Sequence, residues 1–232
     1  MKKVSDILPL FISSLKDIYP IEEIKNIAYI SINHHLSFNR SDTILYSENG
    51  ISTDQCKEIQ KIISRLKKGE PIQYILSETT FYGLRMIITN EALIPRPETE
   101  DLVDWIIKDN KGREKSYLDI GTGSGCIIIT LATHLEGRFD AIDVSINALK
   151  VANENCIKSQ IDVKLLEFDI MQDDLFDKWD VIVSNPPYVL ESEREYMREN
   201  VLGSEPDIAL FVDDNNPLKY ICDIYKGLSK LN

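Results

Sequence analysis

The chain of 232 residues carries a net charge of −12 and is 43% hydrophobic, which is enough to build a sizeable core in one large domain or two small ones. The charge is uneven, because residues 1–75 hold 10 basic and 9 acidic side chains whereas the rest of the chain holds 16 basic and 29 acidic ones. So acidic a region repels phosphates, which argues against a duplex-DNA substrate.

The first 72 residues are predicted to form a small helical bundle. Apolar side chains recur at helical spacing between Val4 and Leu15 and again between Ile24 and Ile32. A third helix is expected to begin after Ser52, since Ser52 and Gln55 have the spacing of a capping box. A glycine and a proline at positions 69 and 71 should end it.

Residues 73–94 are predicted to form a β-hairpin linker. β-Favouring residues between Tyr74 and Ile88 flank a turn signal at Gly83. A helix is expected to follow from Pro97, because a proline in the first turn beside acidic residues is typical of a helix start.

From residue 116 onward, short apolar segments alternate with helical ones. The alternation predicts a parallel, doubly wound α/β sheet. The predicted strands are residues 117–120, 139–142, 163–166 and 180–184, and the predicted helices include residues 126–135, a segment around 148–151, and 218–228.

A glycine-rich loop, residues 119–125 with the sequence Asp-Ile-Gly-Thr-Gly-Ser-Gly, lies between the first of these strands and its helix. Glycines there allow a sharp turn and a close approach of the backbone to a ligand. Asp143 ends the next strand, where a carboxylate can accept both ribose hydroxyls of a nucleoside. The G-x-G-x-G spacing, with Asp119 just before it, fits a nucleoside with a charged amino-acid tail better than a pyrophosphate. A plain turn with an unrelated surface aspartate is the alternative.

The sequence Asn185-Pro186-Pro187-Tyr188 directly follows the fourth strand. Loops at the carboxyl ends of parallel strands share one crevice, so this loop should face the glycine-rich loop. Two prolines make it rigid, and Asn185 and the Pro186 carbonyl offer two acceptors to a planar amino or amide group. Such acceptors favour pyramidalisation of the nitrogen and stabilise the positive charge that develops during methyl transfer. No catalytic histidine is required, and the alternative reading is a proline-rich turn without chemistry.

These motifs together resemble the class I methyltransferases that modify amide or exocyclic nitrogens. Further segments resemble the peptide chain release factor glutamine methyltransferases, the HemK/PrmC family. The similar segments are residues 69–75, 81–84, 93–100, 204–206 and 209–210. The resemblance implies a Rossmann-like methyltransferase domain over residues 95–232, preceded by a helical substrate-recognition domain over residues 1–72.

The resemblance also implies an activity. S-adenosylmethionine would be the methyl donor and S-adenosylhomocysteine the product, and the acceptor would be the glutamine of the Gly-Gly-Gln loop in class 1 release factors. Asn185 and Pro186 would be catalytic, and substrate contacts would come from Asn185, Pro186, Pro187, Tyr188 and Phe81. The residues implied to bind the cofactor are Asp119, Gly121, Thr122, Gly123, Ser124, Gly125, Asp143, Asp169, Ile170 and Asn185. The segment from Arg96 to Glu100 would lie near the mouth of the site or serve only as a helix start.

The sequence departs from the family pattern in two places. Ser77 stands where the family has a glycine, so the local turn is expected to differ. Family members have a seven-stranded sheet, and only four strands are predicted before Asn185. We therefore expect the C-terminal strands to be absent, which would leave the fourth strand as an exposed edge.

The cysteines at positions 56, 126, 156 and 222 form no C-x-x-C pair, which favours reduced thiols in the cytoplasm. No metal-ligand spacing, membrane span or cleavable signal is recognised, and no direct nucleic-acid partner is expected. Two alternatives stay open: an adenine-type nucleic-acid amino methyltransferase, and a non-catalytic fragment that binds cofactor or release factor.

Overall fold

The computed structural model describes residues 2–172, 177–197 and 202–229. These residues form two compact units, with the boundary between Leu76 and Ser77. Each unit has its own apolar core. In the described ranges, no helix is long and apolar enough to cross a membrane.

The first unit is helical, as its apolar periodicity predicted. Its core is formed by isoleucines and leucines of the longer helices together with Phe11. Its helices are α1 (Ile7–Leu15), α2 (Ile21–Leu36), α3 (Arg40–Leu45), α4 (Thr53–Leu66) and α5 (Ile72–Leu76). The predicted capping box is confirmed: Gln55 N–H donates to Ser52 Oγ over 3.1 Å, and Ser52 N–H donates to Gln55 Oε1 over 2.8 Å.

The start of the predicted hairpin linker differs from expectation. Tyr74 and Ile75 lie in the short helix α5 instead of a strand, and both are buried. Burial of these β-favouring side chains in a packed environment outweighs their local preference. The hairpin itself follows in the second unit as β1 (Glu78–Phe81) and β2 (Leu84–Ile87). Tyr82 and Gly83 form its turn with φ of +48° and +77°, the two positive values of a type I′ turn.

The rest of the second unit contains the predicted parallel sheet. Its strands lie in the order β5-β4-β3-β6, and all three pairings are parallel. The strands are β3 (Lys115–Ile120), β4 (Gly137–Asp143), β5 (Lys164–Glu167) and β6 (Val181–Ser184). The helices are α6 (Pro97–Asn110), α7 (Cys126–His134), α8 (Ile146–Ser159) and α9 (Lys219–Ser229). In this order β3 is flanked by β4 and β6, so the loops after these three strands open at one edge of the sheet.

A short parallel pair of strands, which was not predicted from the sequence, joins the segment after β6 to a segment about twenty residues later. It consists of β7 (Val189–Leu190) and β8 (Phe211–Val212). Val189 N–H also donates to the Leu210 carbonyl over 3.1 Å. The pair therefore fixes the chain that leaves the Asn-Pro-Pro-Tyr sequence.

Candidate active site

The glycine loop, residues 121–125, turns the chain from β3 into α7. Gly121 and Gly123 line a cavity at the end of the sheet. Gly125 caps α7 with φ of +79°, and a Cβ there would lie 3.0 Å from Ile129 Cδ1 and 3.2 Å from Ala152 Cβ. Glycine is therefore needed at position 125 both for the backbone conformation and for the close packing of α7 against α8.

Asp143 ends β4 and faces the glycine loop across the cavity edge. Its Oδ2 accepts a hydrogen bond from the Gly123 N–H and its Oδ1 accepts one from the Ser145 N–H, both over 2.8 Å. Burial raises the pKa of the Asp143 carboxyl, while the N–H donors of Ser145 and Gly123 oppose that shift. Each oxygen keeps a second lone pair, so Asp143 can still accept hydrogen bonds from ligand hydroxyls.

Asp119 is completely buried beneath the same loop. Its Oδ2 accepts a hydrogen bond from Thr122 Oγ1 over 2.7 Å, whereas its Oδ1 has no hydrogen-bond partner among the described residues. Burial raises the pKa of Asp119 to about 7, the hydrogen bond from Thr122 opposes the shift, and the nearby charge of Asp143 adds to it. Ser124 is likewise buried.

The acceptor loop, residues 185–188, begins where β6 ends. Ser184 Oγ donates to the Ile120 carbonyl over 2.8 Å and so ties the start of this loop to the end of β3. Asn185 Nδ2 donates to Thr99 Oγ1 on α6 over 3.4 Å. The amide oxygen of Asn185 therefore remains available to accept a hydrogen from a ligand.

The glycine loop and the acceptor loop line one cavity of about 250 Å³, as the strand arrangement predicted. Asp143, Asp169 and Ile170 lie on the same cavity. Most of the other lining side chains are apolar. They include Leu93, Ile142, Val144, Ala148, Phe168 and Met171. The cavity thus combines an apolar interior with a few polar groups, which is typical of a small-molecule site.

Several predicted site residues do not line this cavity. Phe81, which was predicted to contact the substrate, is one of them: its side chain is only 1% exposed and packs in the core of the second unit. Tyr188 is 68% exposed and lies outside the cavity lining, whereas Pro186 and Pro187 belong to it. The four predicted cofactor residues outside the lining are Asp119, which lies beneath the glycine loop, and Thr122, Ser124 and Gly125, which belong to the loop.

Two cavity walls were not predicted as such. One is the chain before α6, where Glu91, Ala92 and Leu93 line the cavity, and the other is formed by Pro206, Ile208 and Ala209. Tyr220 and Ile224 of α9 also contribute. Segments 93–100, 204–206 and 209–210 carried part of the family resemblance, which was the available signal for both walls.

Comparisons with known proteins agree with this geometry. The family model of the Methyltransferase small domain matches residues 99–202, and that of the PrmC N-terminal domain matches residues 6–76. A release factor glutamine methyltransferase of Flavobacterium psychrophilum is 42% identical over 227 residues, which cover 95% of this chain and 78% of the relative. A protein of the same name from Bacteroides thetaiotaomicron is 41% identical and covers 94% and 78%.

Among solved structures, the catalytic domain of hMettl16 in complex with MAT2A 3′UTR hairpin 6 shares the fold. The TM-score is 0.51 at 19% identity, over 80% of this chain and 67% of that chain. At this identity the likeness concerns the fold alone. It agrees with a class I methyltransferase fold for the second unit.

Proposed function

Because this chain belongs to the family of release factor glutamine methyltransferases, we propose that it methylates the side-chain amide nitrogen (N5) of the glutamine in the Gly-Gly-Gln loop of class 1 peptide chain release factors. The methyl donor is S-adenosylmethionine and the product is S-adenosylhomocysteine. The observation that carries the proposal is that the glycine loop and the acceptor loop line one cavity, which brings a donor site and an amide-binding site together.

The residues of the cavity fit the donor. Asp143, Asp169 and Ile170 line the cavity; Asp143 would accept hydrogen bonds from ribose hydroxyls, and Asp169 and Ile170 are assigned to the adenine end. The glycine loop is assigned to the methionine part. Asp119 lies behind this loop with an Oδ1 that has no hydrogen-bond partner among the described residues, and the ionised form of its carboxyl would complement a cationic ligand. S-adenosylmethionine supplies a methyl group already activated on a sulfonium.

The acceptor loop is assigned to the substrate glutamine. The Asn185 amide oxygen and the Pro186 carbonyl would accept its two amide hydrogens, while Pro187 and Tyr188 bound its slot. Two fixed acceptors favour a pyramidal nitrogen with a free lone pair, and they stabilise the charge that develops as the carbon–nitrogen bond forms. Alignment of the reactants can lower the barrier by up to about 7–11 kcal/mol. The additional proton then leaves the nitrogen to water, so no side chain must act as a strong base.

Residues 1–72 are assigned to holding the release factor, residues 73–94 to the linker, and residues 95–232 to catalysis. The match of the PrmC N-terminal domain to residues 6–76 supports the first assignment. We also place the reaction in the cytoplasm, where translation termination occurs. The cysteines Cys126, Cys156 and Cys222 are free thiols, which suits a reducing compartment. The proposal includes no metal, membrane or direct nucleic-acid contact.

The proposal is tested by methyl transfer from labelled S-adenosylmethionine. Unmodified release factor, tRNA and DNA are offered separately, and release-factor peptides are sequenced by mass spectrometry. We expect one added methyl on the Gly-Gly-Gln glutamine, and a loss of at least about 100-fold in turnover for Asn185→Ala, comparable to removal of one oxyanion-hole donor. Asn153→Ala, at an exposed position on α8, is the matched control and should retain turnover.

Three outcomes would contradict the proposal. Label on tRNA or DNA instead of protein would favour the nucleic-acid amino methyltransferase. Binding of S-adenosylhomocysteine without transfer to any acceptor would favour a non-catalytic binding protein. Equal turnover of Asn185→Ala and Asn153→Ala would remove the acceptor loop from the reaction.

A further inference from the structure

The Glu205 carboxylate is buried between two walls of the cavity that are not part of the sheet, residues 91–93 and residues 206–209. The Glu205 side chain is only 2% exposed, and both of its oxygens accept hydrogen bonds from Arg96 Nη2 over 2.8 Å. Burial raises the pKa of Glu205, whereas Arg96 and the backbone N–H of Ile94 lower it. Glu205 is thus held by two residues of the chain that leads into α6.

Each partner belongs to a segment that lines the cavity. Residues 91–93, just before Ile94, form one wall, and residues 206–209, just after Glu205, form the other. Within the described residues, Arg96–Glu205 is the ion pair that joins these two segments. A carboxylate this deeply buried is costly without its partner, so the pair should hold the two walls in a fixed relation.

The segment that starts at Glu205 also reaches the acceptor loop. We call residues 205–212 the strap. Its far end is β8, which pairs in parallel with β7, and β7 directly follows the acceptor loop. The strap is therefore anchored at Arg96 on one side and beside the acceptor loop on the other, with cavity-lining residues between the two anchors.

We propose that Glu205 is a positioning residue. Its ion pair with Arg96 holds the strap against residues 94–96 and thereby sets the affinity of the cavity for the adenosyl ligand. The inference rests on the proposed function for the identity of that ligand. Glu205 touches no reacting atom in this scheme. It acts through the position of Pro206, Ile208 and Ala209 against the cavity.

The test measures binding of S-adenosylhomocysteine by calorimetry, which needs no turnover, for wild type, Glu205→Gln, Arg96→Met and Arg96→Lys. Loss of the Arg96–Glu205 ion pair should raise the Kd for S-adenosylhomocysteine about tenfold, equivalent to about 1.4 kcal/mol. Arg96→Lys keeps the positive charge but loses the planar guanidinium, so it should recover only part of the affinity. In methyl transfer, the KM for S-adenosylmethionine should rise by a larger factor than kcat falls.

The matched control is Asp140→Asn. Asp140 is a buried acid on β4 that is paired with an arginine, Arg138, but it does not line the cavity. Its substitution should lower the melting temperature without changing the Kd. A similar loss of affinity in Asp140→Asn would overturn the proposal, because the effect would then reflect general loosening of the unit.

Arg96 is one-third exposed, so Arg96→Met keeps the test available even if Glu205→Gln does not fold. Folded variants of both residues with the wild-type Kd would overturn the proposal. The two proposals can fail separately. Tight binding of S-adenosylhomocysteine without methylation of release factor would contradict the proposed function but not the proposed role of Glu205 in ligand binding.

Discussion

Asn155 on α8 holds the main-chain carbonyl of Ser124 in the glycine loop through a hydrogen bond of 2.9 Å from its side-chain amide. The same side chain donates to the Ile87 carbonyl over 2.9 Å and accepts from the Ile87 N–H over 2.6 Å. Asn155 is completely buried, so these bonds are made without competition from water. One amide therefore joins the hairpin, α8 and the glycine loop.

Asn155→Asp should be strongly destabilising. An ionised aspartate of the same size cannot donate, so the carbonyls of Ile87 and Ser124 would lose their donor and face a buried negative charge. We expect the free energy of unfolding, measured in urea, to fall by about 3 kcal/mol. The affinity for S-adenosylhomocysteine should fall as well, because the glycine loop loses a support.

Asn153→Asp provides the control for the charge placed on α8, because Asn153 is exposed on the same helix. It should change stability by less than about 0.5 kcal/mol. Equal effects of the two substitutions would show that the hydrogen bonds of Asn155 do not support the loop.

Gly125→Ala should cost more than backbone conformation alone. Both Gly125 and Gly112 have positive φ, +79° and +73°, but a Cβ at Gly112 would meet open space whereas one at Gly125 would press on Ile129 and Ala152. We expect Gly112→Ala to lose about 1 kcal/mol in urea unfolding from conformation alone. Gly125→Ala should lose about 1–3 kcal/mol more from overpacking between α7 and α8. Equal losses for the two substitutions would mean that α7 and α8 can move apart at position 125 without a loss in the free energy of unfolding.

Elements with a clear period and clear end signals were predictable from the sequence. α4 was expected after Ser52 and does begin at Thr53, because its apolar face and its capping box agree. The six-residue helix α3 was missed, since it is too short to show a period and exposes Ile44 and Leu45. Its one local signal is the reciprocal capping of Asn39 and Asp42.

The candidate site was predictable where its parts are local in sequence. The glycine loop and the acceptor loop each follow a strand, and parallel strands bring such loops to one edge. The strap was not predictable as a wall, because its placement depends on an ion pair between Arg96 and Glu205, which are 109 positions apart. Phe81 was assigned to the substrate by resemblance, yet its burial in the core was equally compatible with its sequence.

Ser77→Gly should stabilise the protein. Ser77 has φ of +53°, so it keeps the left-handed conformation that a glycine would adopt without strain. We expect the free energy of unfolding to rise by about 1 kcal/mol. The same substitution at Ser159, in the last turn of α8, should have the opposite sign and cost about 0.5 kcal/mol, because glycine is a poorer helix former than serine. A lower free energy of unfolding for Ser77→Gly than for the wild type would mean that the serine side chain stabilises the turn.

Asp119 should make both stability and ligand binding depend on pH. Its pKa is raised on folding from 3.8 to about 7, so the folded chain keeps a proton that the unfolded chain releases. Its contribution to stability is therefore present below pH 3.8, is lost as the pH rises towards 7, and is constant above that. A cationic ligand should favour the ionised form. The affinity for S-adenosylmethionine should therefore rise with pH, by up to about tenfold per pH unit, until the pH reaches about 7.

Calorimetry between pH 5.5 and 8 is the measurement for this prediction, with the range chosen roughly to bracket the pKa. Asp119→Asn should flatten the pH dependence of binding, because asparagine still accepts from Thr122 but does not ionise. Asp180→Asn is the control, since hydrogen bonds from Ser116 lower the pKa of Asp180 and keep its titration below this range. If Asp119→Asn retained the wild-type pH dependence, another group would have to titrate, and Asp143, whose pKa is also raised by burial, would be the next carboxyl to replace.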